Sequence, residues 1–174
     1  MKKLLLIFAL SIFSTATIAN VNFVGISYSF YCDSSCDGDN GYNLSYLGVK
    51  DRLGVSAEHN SQDGMNADTT SYTLRYALTD SFSEGSPYIA AVHLNHEGGS
   101  TDSVVKFGYA KVTGEGIDYD FSHTFTENEI TENSYVVTSS ASLRIALQGD
   151  LGLSVGVDYD GDIARTSLGV DLKF

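Results

Sequence analysis

Residues 163–174 read IARTSLGVDLKF, a stretch in which apolar and polar side chains alternate. Apolar side chains occupy the even positions from 168 to 174, and small or polar ones occupy the odd positions from 167 to 173. A period of two predicts a β-strand with one apolar and one polar face. Residues 151–159, LGLSVGVDY, repeat the pattern immediately upstream. The end of the chain therefore predicts a hairpin of two alternating strands.

The same alternation recurs along the chain, which has 174 residues and only one proline. Ten segments qualify as strands: 21–31, 42–50, 53–59, 70–78, 87–96, 103–112, 116–125, 134–147, 151–159 and 163–174. Tight turns on one side alternate with mostly longer polar loops on the other. Strands of about 9–11 residues joined in this way are typical of a transmembrane β-barrel. We therefore predict an all-β, antiparallel, up-and-down barrel of ten strands, with eight as the alternative.

A soluble secreted β-sandwich would also show about this many short strands. The water-facing side of a sandwich can be richly charged. Here the polar face consists mainly of Gly, Ser, Thr and Asn with few charges. A narrow barrel filled by side chains requires such a face, so the composition favours the barrel.

The first residues have the layout of a secretory signal peptide. Residues 1–19 read MKKLLLIFALSIFSTATIA, with Lys2 and Lys3 before an apolar run and small residues before Asn20. The run is too short for a membrane-spanning helix, which needs about 20 apolar residues. We therefore predict a signal peptide over 1–19 and a barrel over 20–174.

Two cysteines, Cys32 and Cys36, lie in the sequence CDSSC. An exported chain meets an oxidising compartment, so we predict that they form a disulfide. Two reduced thiols and a metal-binding pair are the alternatives. A metal site would need further Cys or His ligands, and none is adjacent, so we predict no metal.

The last strand also carries a motif. Ser167, Gly169, Leu172 and Phe174 match the C-terminal β-signal of bacterial outer-membrane proteins: a polar residue, a glycine two positions on, and hydrophobic antepenultimate and final residues. The chain thus resembles small outer-membrane barrels in the size range of OmpX and the OmpA transmembrane domain, and its ten strands resemble YfaZ-like barrels. The resemblance implies a Gram-negative outer-membrane location and recognition by the barrel assembly machinery.

If the apolar positions face lipid, ten charged residues face the lumen. The acids are Glu58, Asp118, Asp120, Asp158 and Asp171, and the bases are Arg75, Lys106, Arg144, Arg165 and Lys173. Charges buried in a closed lumen need partners, so equal numbers predict structural ion pairs rather than a conducting path. Asn43, His93 and Asn95 are predicted to fill the lumen as hydrogen-bonding groups.

The formal net charge of −12 argues against a nucleic-acid partner, because phosphate binding requires clustered Lys and Arg. The predicted outer loops contain acids and no Lys or Arg: Asp33, Asp37, Asp39, Asp63, Asp68, Glu97, Asp102, Glu127, Glu129, Glu132, Asp160 and Asp162. We therefore expect outer-membrane lipids and lipopolysaccharide as neighbours, bridged by divalent cations. The alternating acids of 158–162 suit a turn, and they depart from the EF-hand pattern.

One pattern suggests catalysis. His59-Asn60-Ser61 resembles the His-x-Ser of PagL-like lipid A deacylases. Those enzymes also need a Glu on the following strand, where this chain has Asp68-Thr69-Thr70-Ser71. Alternation places His59 on the lipid side. It would join an interfacial girdle with His96, His123, Tyr31, Tyr42, Tyr135 and Tyr159.

The sequence therefore predicts a monomeric, porin-like barrel without enzymatic activity or cofactor, with a structural or surface-interaction role. A small cation-attracting channel is the alternative, because an acidic mouth concentrates cations. A lipid A-type esterase that uses His59 and Ser61 is the third possibility.

Overall fold

Ten strands follow one another along the chain in the computed structural model, which describes residues 19–32, 40–62, 68–96, 101–127 and 135–174. They are β1 Val21–Cys32, β2 Asn40–Lys50, β3 Leu53–Gln62, β4 Thr69–Ala77, β5 Ser86–His96, β6 Thr101–Lys111, β7 Ile117–Glu127, β8 Tyr135–Ala146, β9 Leu151–Tyr159 and β10 Ala164–Lys173. Every predicted strand is present, and the bounds differ from prediction by at most a few residues. Among the described residues, no helix is long and apolar enough to cross a bilayer.

Each strand pairs antiparallel with its sequence neighbours, and β1 pairs with β10 to close the barrel. At this seam Gly169 lies opposite Ser27. A Cβ at Gly169 would come within 2.6 Å of the Ser27 Cβ and 2.7 Å of the Ile26 carbonyl oxygen. The seam is therefore tight enough to require glycine. Closure leaves no free strand edge, so the ten-strand prediction is confirmed and the sandwich and eight-strand alternatives are wrong.

The two faces of the wall differ in polarity. Outward side chains are mainly large and apolar; Leu74 and Leu168, for example, are each 56% exposed. Inward side chains are mainly Ser, Thr, Gly and charged residues. A soluble protein rarely exposes an apolar belt of this extent. Closed barrels with such a belt span membranes, because every backbone polar group finds a partner within the wall.

The two ends of the barrel also differ. At one end, here called the turn end, short segments connect β2 to β3, β4 to β5, β6 to β7 and β8 to β9, and residues 20 and 174 lie there. The other end, called the loop end, has the remaining connections. Most residues of those loops lie outside the described part of the chain.

The register corrects three predictions on β5. His93 pairs with Tyr72 and Ser103, and Arg75 pairs with Ala90, so the even residues of β5 face the lumen. His93 and Asn95 therefore point outward, and His96 faces the lumen instead of joining the girdle. The prediction failed because β5 is apolar on both faces over residues 88–92, so alternation does not determine its phase.

Candidate functional site

The turn end of the lumen contains a buried apolar cluster, here called the plug. It consists of the buried residues Phe23, Val49, Ala77, Phe82, Tyr88, Ala90, Ala110 and Val112. Phe82 is fully buried, and its ring packs edge-to-face with Tyr88 at a centroid distance of 5.9 Å. Because Phe82 belongs to the segment between β4 and β5, this segment folds back into the barrel mouth.

Backbone hydrogen bonds fix Phe82 in the mouth. Its amide donates to the Asp51 carbonyl at 3.1 Å, and its carbonyl accepts from the Val112 amide at 2.9 Å. The segment is thus tied to both the β2–β3 turn and the end of β6. On the opposite side of the mouth, Lys173 Nζ donates to the Gly114 carbonyl at 3.3 Å. The turn end is therefore covered by two connecting segments.

Above the plug, Arg75 and Asp120 form a buried ion pair across the lumen. Arg75 Nη1 donates to Asp120 Oδ2 at 2.7 Å, and Tyr88 Oη donates to Asp120 Oδ1 at 2.7 Å. The guanidinium also lies 5.4 Å from the centroid of the Tyr88 ring. Tyr88 therefore links the apolar plug to the charged layer above it.

Arg144 organises a second group of charges. Its Nη1 lies 3.7 Å from Asp118 Oδ2, and its Nε lies 3.7 Å from Asp171 Oδ2. The guanidinium is stacked 3.9 Å from the Phe23 ring centroid. Gly152 leaves room for it, because a Cβ there would come within 2.6 Å of Arg144 Nη2. Glycines of the lumen face thus accommodate the large charged side chains opposite them.

A cavity of about 610 Å³ runs along the lumen from Phe23 and Val112 of the plug to Asp158 and Arg165 near the loop end. It is lined mainly by hydroxyl-bearing and charged side chains. Arg165 Nε donates to Asp158 Oδ2 at 2.6 Å, and Asn43 Nδ2 donates to Asn60 Oδ1 at 2.8 Å. Several buried polar atoms in this lumen, including Ser122 Oγ and Arg75 Nε, have no hydrogen-bond partner in the described structure. Such atoms need partners, so we expect water in the lumen at the level of Arg75 and Ser122.

The register turns all ten predicted lumen charges inward. Seven of them form the ion-paired groups described above: Arg75 with Asp120, Arg144 with Asp118 and Asp171, and Arg165 with Asp158. Lys173 bonds a backbone carbonyl instead. Within the described part of the chain, Glu58 and Lys106 form no ion pair within 4 Å.

His59 faces outward and contacts two side chains of the β3–β4 connection and β4. Its Nδ1 lies 3.1 Å from Thr70 Oγ1, and its Nε2 lies 3.7 Å from Asp68 Oδ2. Thr70 is only 4% exposed. Both ring nitrogens are therefore engaged by residues other than Ser61. The Asp68 contact was missed in the sequence because only a Glu was sought on the following strand.

Other predicted features fall at the loop end. Backbone amides of Ile163 and Asp162 donate to Asp160 Oδ1 at 2.8 and 3.0 Å, which holds the pKa of Asp160 below its usual range. The Asp160 carboxylate thus stabilises the backbone of this turn. Within the described residues, no three His, Cys, Asp or Glu side chains cluster. Residues 1–18, Cys36 and the side chain of Cys32 lie outside the described part, so the signal peptide and the disulfide stay predictions.

A closed, ten-stranded barrel with an apolar outer belt and a polar lumen defines the class: a transmembrane β-barrel of the bacterial outer membrane. The predicted localisation is confirmed. Solved structures of this class are similar in fold. A KdgM porin in complex with disordered oligogalacturonate matches 87% of this chain and 99% of its own, with a TM-score of 0.51 and 11% identity.

Two further structures are more distant. A de novo designed transmembrane β-barrel matches 90% of this chain and 97% of its own, with a TM-score of 0.43 and 11% identity. Ail, the attachment invasion locus protein of Yersinia pestis, in complex with sucrose octasulfate, matches 90% and 100%, with a TM-score of 0.38 and 11% identity. No family model and no curated protein sequence matches the chain. The narrower resemblance to YfaZ-like barrels stays a prediction.

Proposed function

We propose that the protein is a closed, non-enzymatic barrel that presents its acidic loops at the cell surface. In this proposal the turn end faces the periplasm and the loop end faces outward. The plug is the observation that carries it. Phe82 and Tyr88 are buried in the turn end, and an apolar layer there opposes the passage of an ion, which requires a polar route.

The charged layers above the plug also support a closed, structural barrel. The Arg75–Asp120 pair joins β4 to β7, and the Arg144 group joins β8 to β7 and β10. In this proposal the ion pairs fix the relative positions of these strands, and water completes their remaining hydrogen bonds. The lumen side chains thus support a rigid wall, and the surface role falls to the acidic loops. The barrel assembly machinery and cation-bridged lipopolysaccharide are its proposed partners, and the barrel is proposed to be monomeric.

Planar-bilayer recordings test closure. Purified wild-type barrel should give no single-channel current, because the plug blocks the lumen. A Phe82→Gly/Tyr88→Ala variant serves as the control for detection, because it thins the plug beneath a hydrated lumen. Its openings should favour cations, which the acidic loops attract. Resolved wild-type currents would instead support the cation-attracting channel.

One arrangement on the outer face favours an esterase: the Asp68 carboxylate, the His59 imidazole and the Thr70 hydroxyl lie next to one another. The Thr70 hydroxyl, however, is buried. Catalysis needs a nucleophile that substrate can reach. Overexpression should therefore leave the mass of lipid A unchanged, as should overexpression of His59→Ala. Loss of an acyl chain that depends on His59 would contradict the non-enzymatic proposal.

A further inference from the structure

The outer wall of the barrel carries a deep groove in an otherwise convex belt. Its volume is about 540 Å³, and it crosses β3, β4, β5 and β6 beside Tyr46 of β2. Its lining is almost entirely apolar, with Tyr72, Leu74 and Val105 among the outward side chains. It lies on the face that the exposed apolar belt assigns to the bilayer.

Small outward residues open the groove between these large ones. Ala91 is exposed and pairs with Leu74 and Val105, so its small side chain leaves a gap between them. Ala57 pairs with Tyr72 and is 4% exposed, so it lies on the covered floor of the groove. Tyr46 does not fill the gap. Its hydroxyl donates to Asn22 Oδ1 at 2.8 Å, and the side chain is 2% exposed because Tyr72 and other apolar neighbours pack against it.

The groove is polar only at the end nearest the loops. Along β5 the outward residue after Ala91 is His93, and along β6 the outward residue beyond Val105 is Ser103. His93 Nδ1 lies 3.4 Å from Ser103 Oγ. Within the described residues no hydrogen bond engages His93 Nε2. An apolar channel with one hydrogen-bonding end matches a fatty acyl chain and its ester or hydroxyl oxygen.

The surroundings limit what can occupy the groove. A groove with so apolar a lining favours an apolar ligand over ordered water. A partner strand cannot add to the wall, because the closed barrel has no free edge. Lipid is what contacts this face, and the polar end lies on the side of the loops.

We propose that the groove seats one acyl chain of outer-leaflet lipopolysaccharide, with His93 donating a hydrogen bond to an oxygen at its head end. The inference rests on the proposed orientation of the barrel, and it is independent of whether the lumen conducts. In this proposal Ala57 and Ala91 line the site of the acyl chain, and the hydrogen bond from His93 fixes how deeply the acyl chain lies in the bilayer.

Lipid analysis of purified protein tests the proposal. The full chain is extracted from outer membranes in mild detergent, and bound lipid A and phospholipid are quantified by mass spectrometry. The variant is Ala91→Trp, which fills the groove. The matched control is Ala141→Trp, an outward position on β8 that pairs with exposed Phe121 and Val157 on the other side of the barrel. Equal mobility shifts on unheated gels establish that both variants fold.

Wild type and Ala141→Trp should retain lipid A. Ala91→Trp should retain about tenfold less, since losing the burial of only a few methylene groups already weakens binding by that factor. His93→Ala should lower retention, and His93→Gln, which keeps a donor, should restore part of it. Equal lipid A in Ala91→Trp and wild type, equal losses in both Trp variants, or retention of phospholipid in place of lipid A would each overturn the proposal. Conductance is recorded on the same preparations, so a failure of the closed-barrel proposal can be distinguished from a failure of the lipid-binding proposal.

Discussion

Arg75 shows why single residues matter in this barrel. Arg75 is almost fully buried. Its guanidinium is paired with the Asp120 carboxylate, lies over the Tyr88 ring and donates a further hydrogen bond to Ser56. Gly54 makes the space, because a Cβ there would come within 2.5 Å of the Arg75 side chain. Charge, aromatic contact and a neighbouring glycine thus form one unit.

Removing one partner of this pair should be costly. Arg75→Met leaves Asp120 buried without its cation and should destabilise the barrel by about 3–5 kcal/mol. The double variant Arg75→Met/Asp120→Asn should be more stable than the single variant, because no buried charge is left. Urea unfolding, followed by the mobility shift on unheated gels, measures both.

The exposed pair Arg52–Asp80, at 3.4 Å, provides the matched control. Arg52→Met should change stability by less than about 1 kcal/mol, because water screens exposed ion pairs. Equal effects of Arg75→Met and Arg52→Met would contradict a structural role for the lumen pair.

Strand β10 both closes the barrel and carries the predicted assembly signal. It closes the barrel against β1, where Gly169 permits close approach. Phe174 is 55% exposed on the outer surface, and its amide donates to the Asn22 carbonyl at 3.1 Å. Its ring is therefore available to a partner outside the barrel.

Deleting Phe174 should prevent assembly, leaving little or no folded protein in the outer membrane. Removal of an equally lipid-facing aromatic, Phe125→Ala, should leave assembly intact, because that residue is not terminal. Membrane fractionation and the mobility of unheated protein on gels provide the readout. A folded barrel without Phe174 would show that the C-terminal motif is not required.

At the scale of the whole molecule, alternation and charge predicted the architecture well. The strand number, the inward direction of Arg144 and Asp118, and the outward direction of His59 all follow from a period of two. Alternation succeeds where one face is polar, because a slip of one residue would bury the wrong set. It failed for β5, where both faces are apolar and His93 was placed in the lumen.

Alternation in the sequence predicted an up-and-down barrel and the direction of most lumen residues, because side-chain direction is a local property of a strand. It left ten and eight strands as alternatives, and it misplaced His93, Asn95 and His96. The pairing of charges, the insertion of Phe82 into the mouth and the groove beside Ala91 could be read only from the folded chain. These features depend on which strands meet across a closed wall and on which small residues stand beside large ones. That arrangement follows from register and closure, which join residues far apart in the chain.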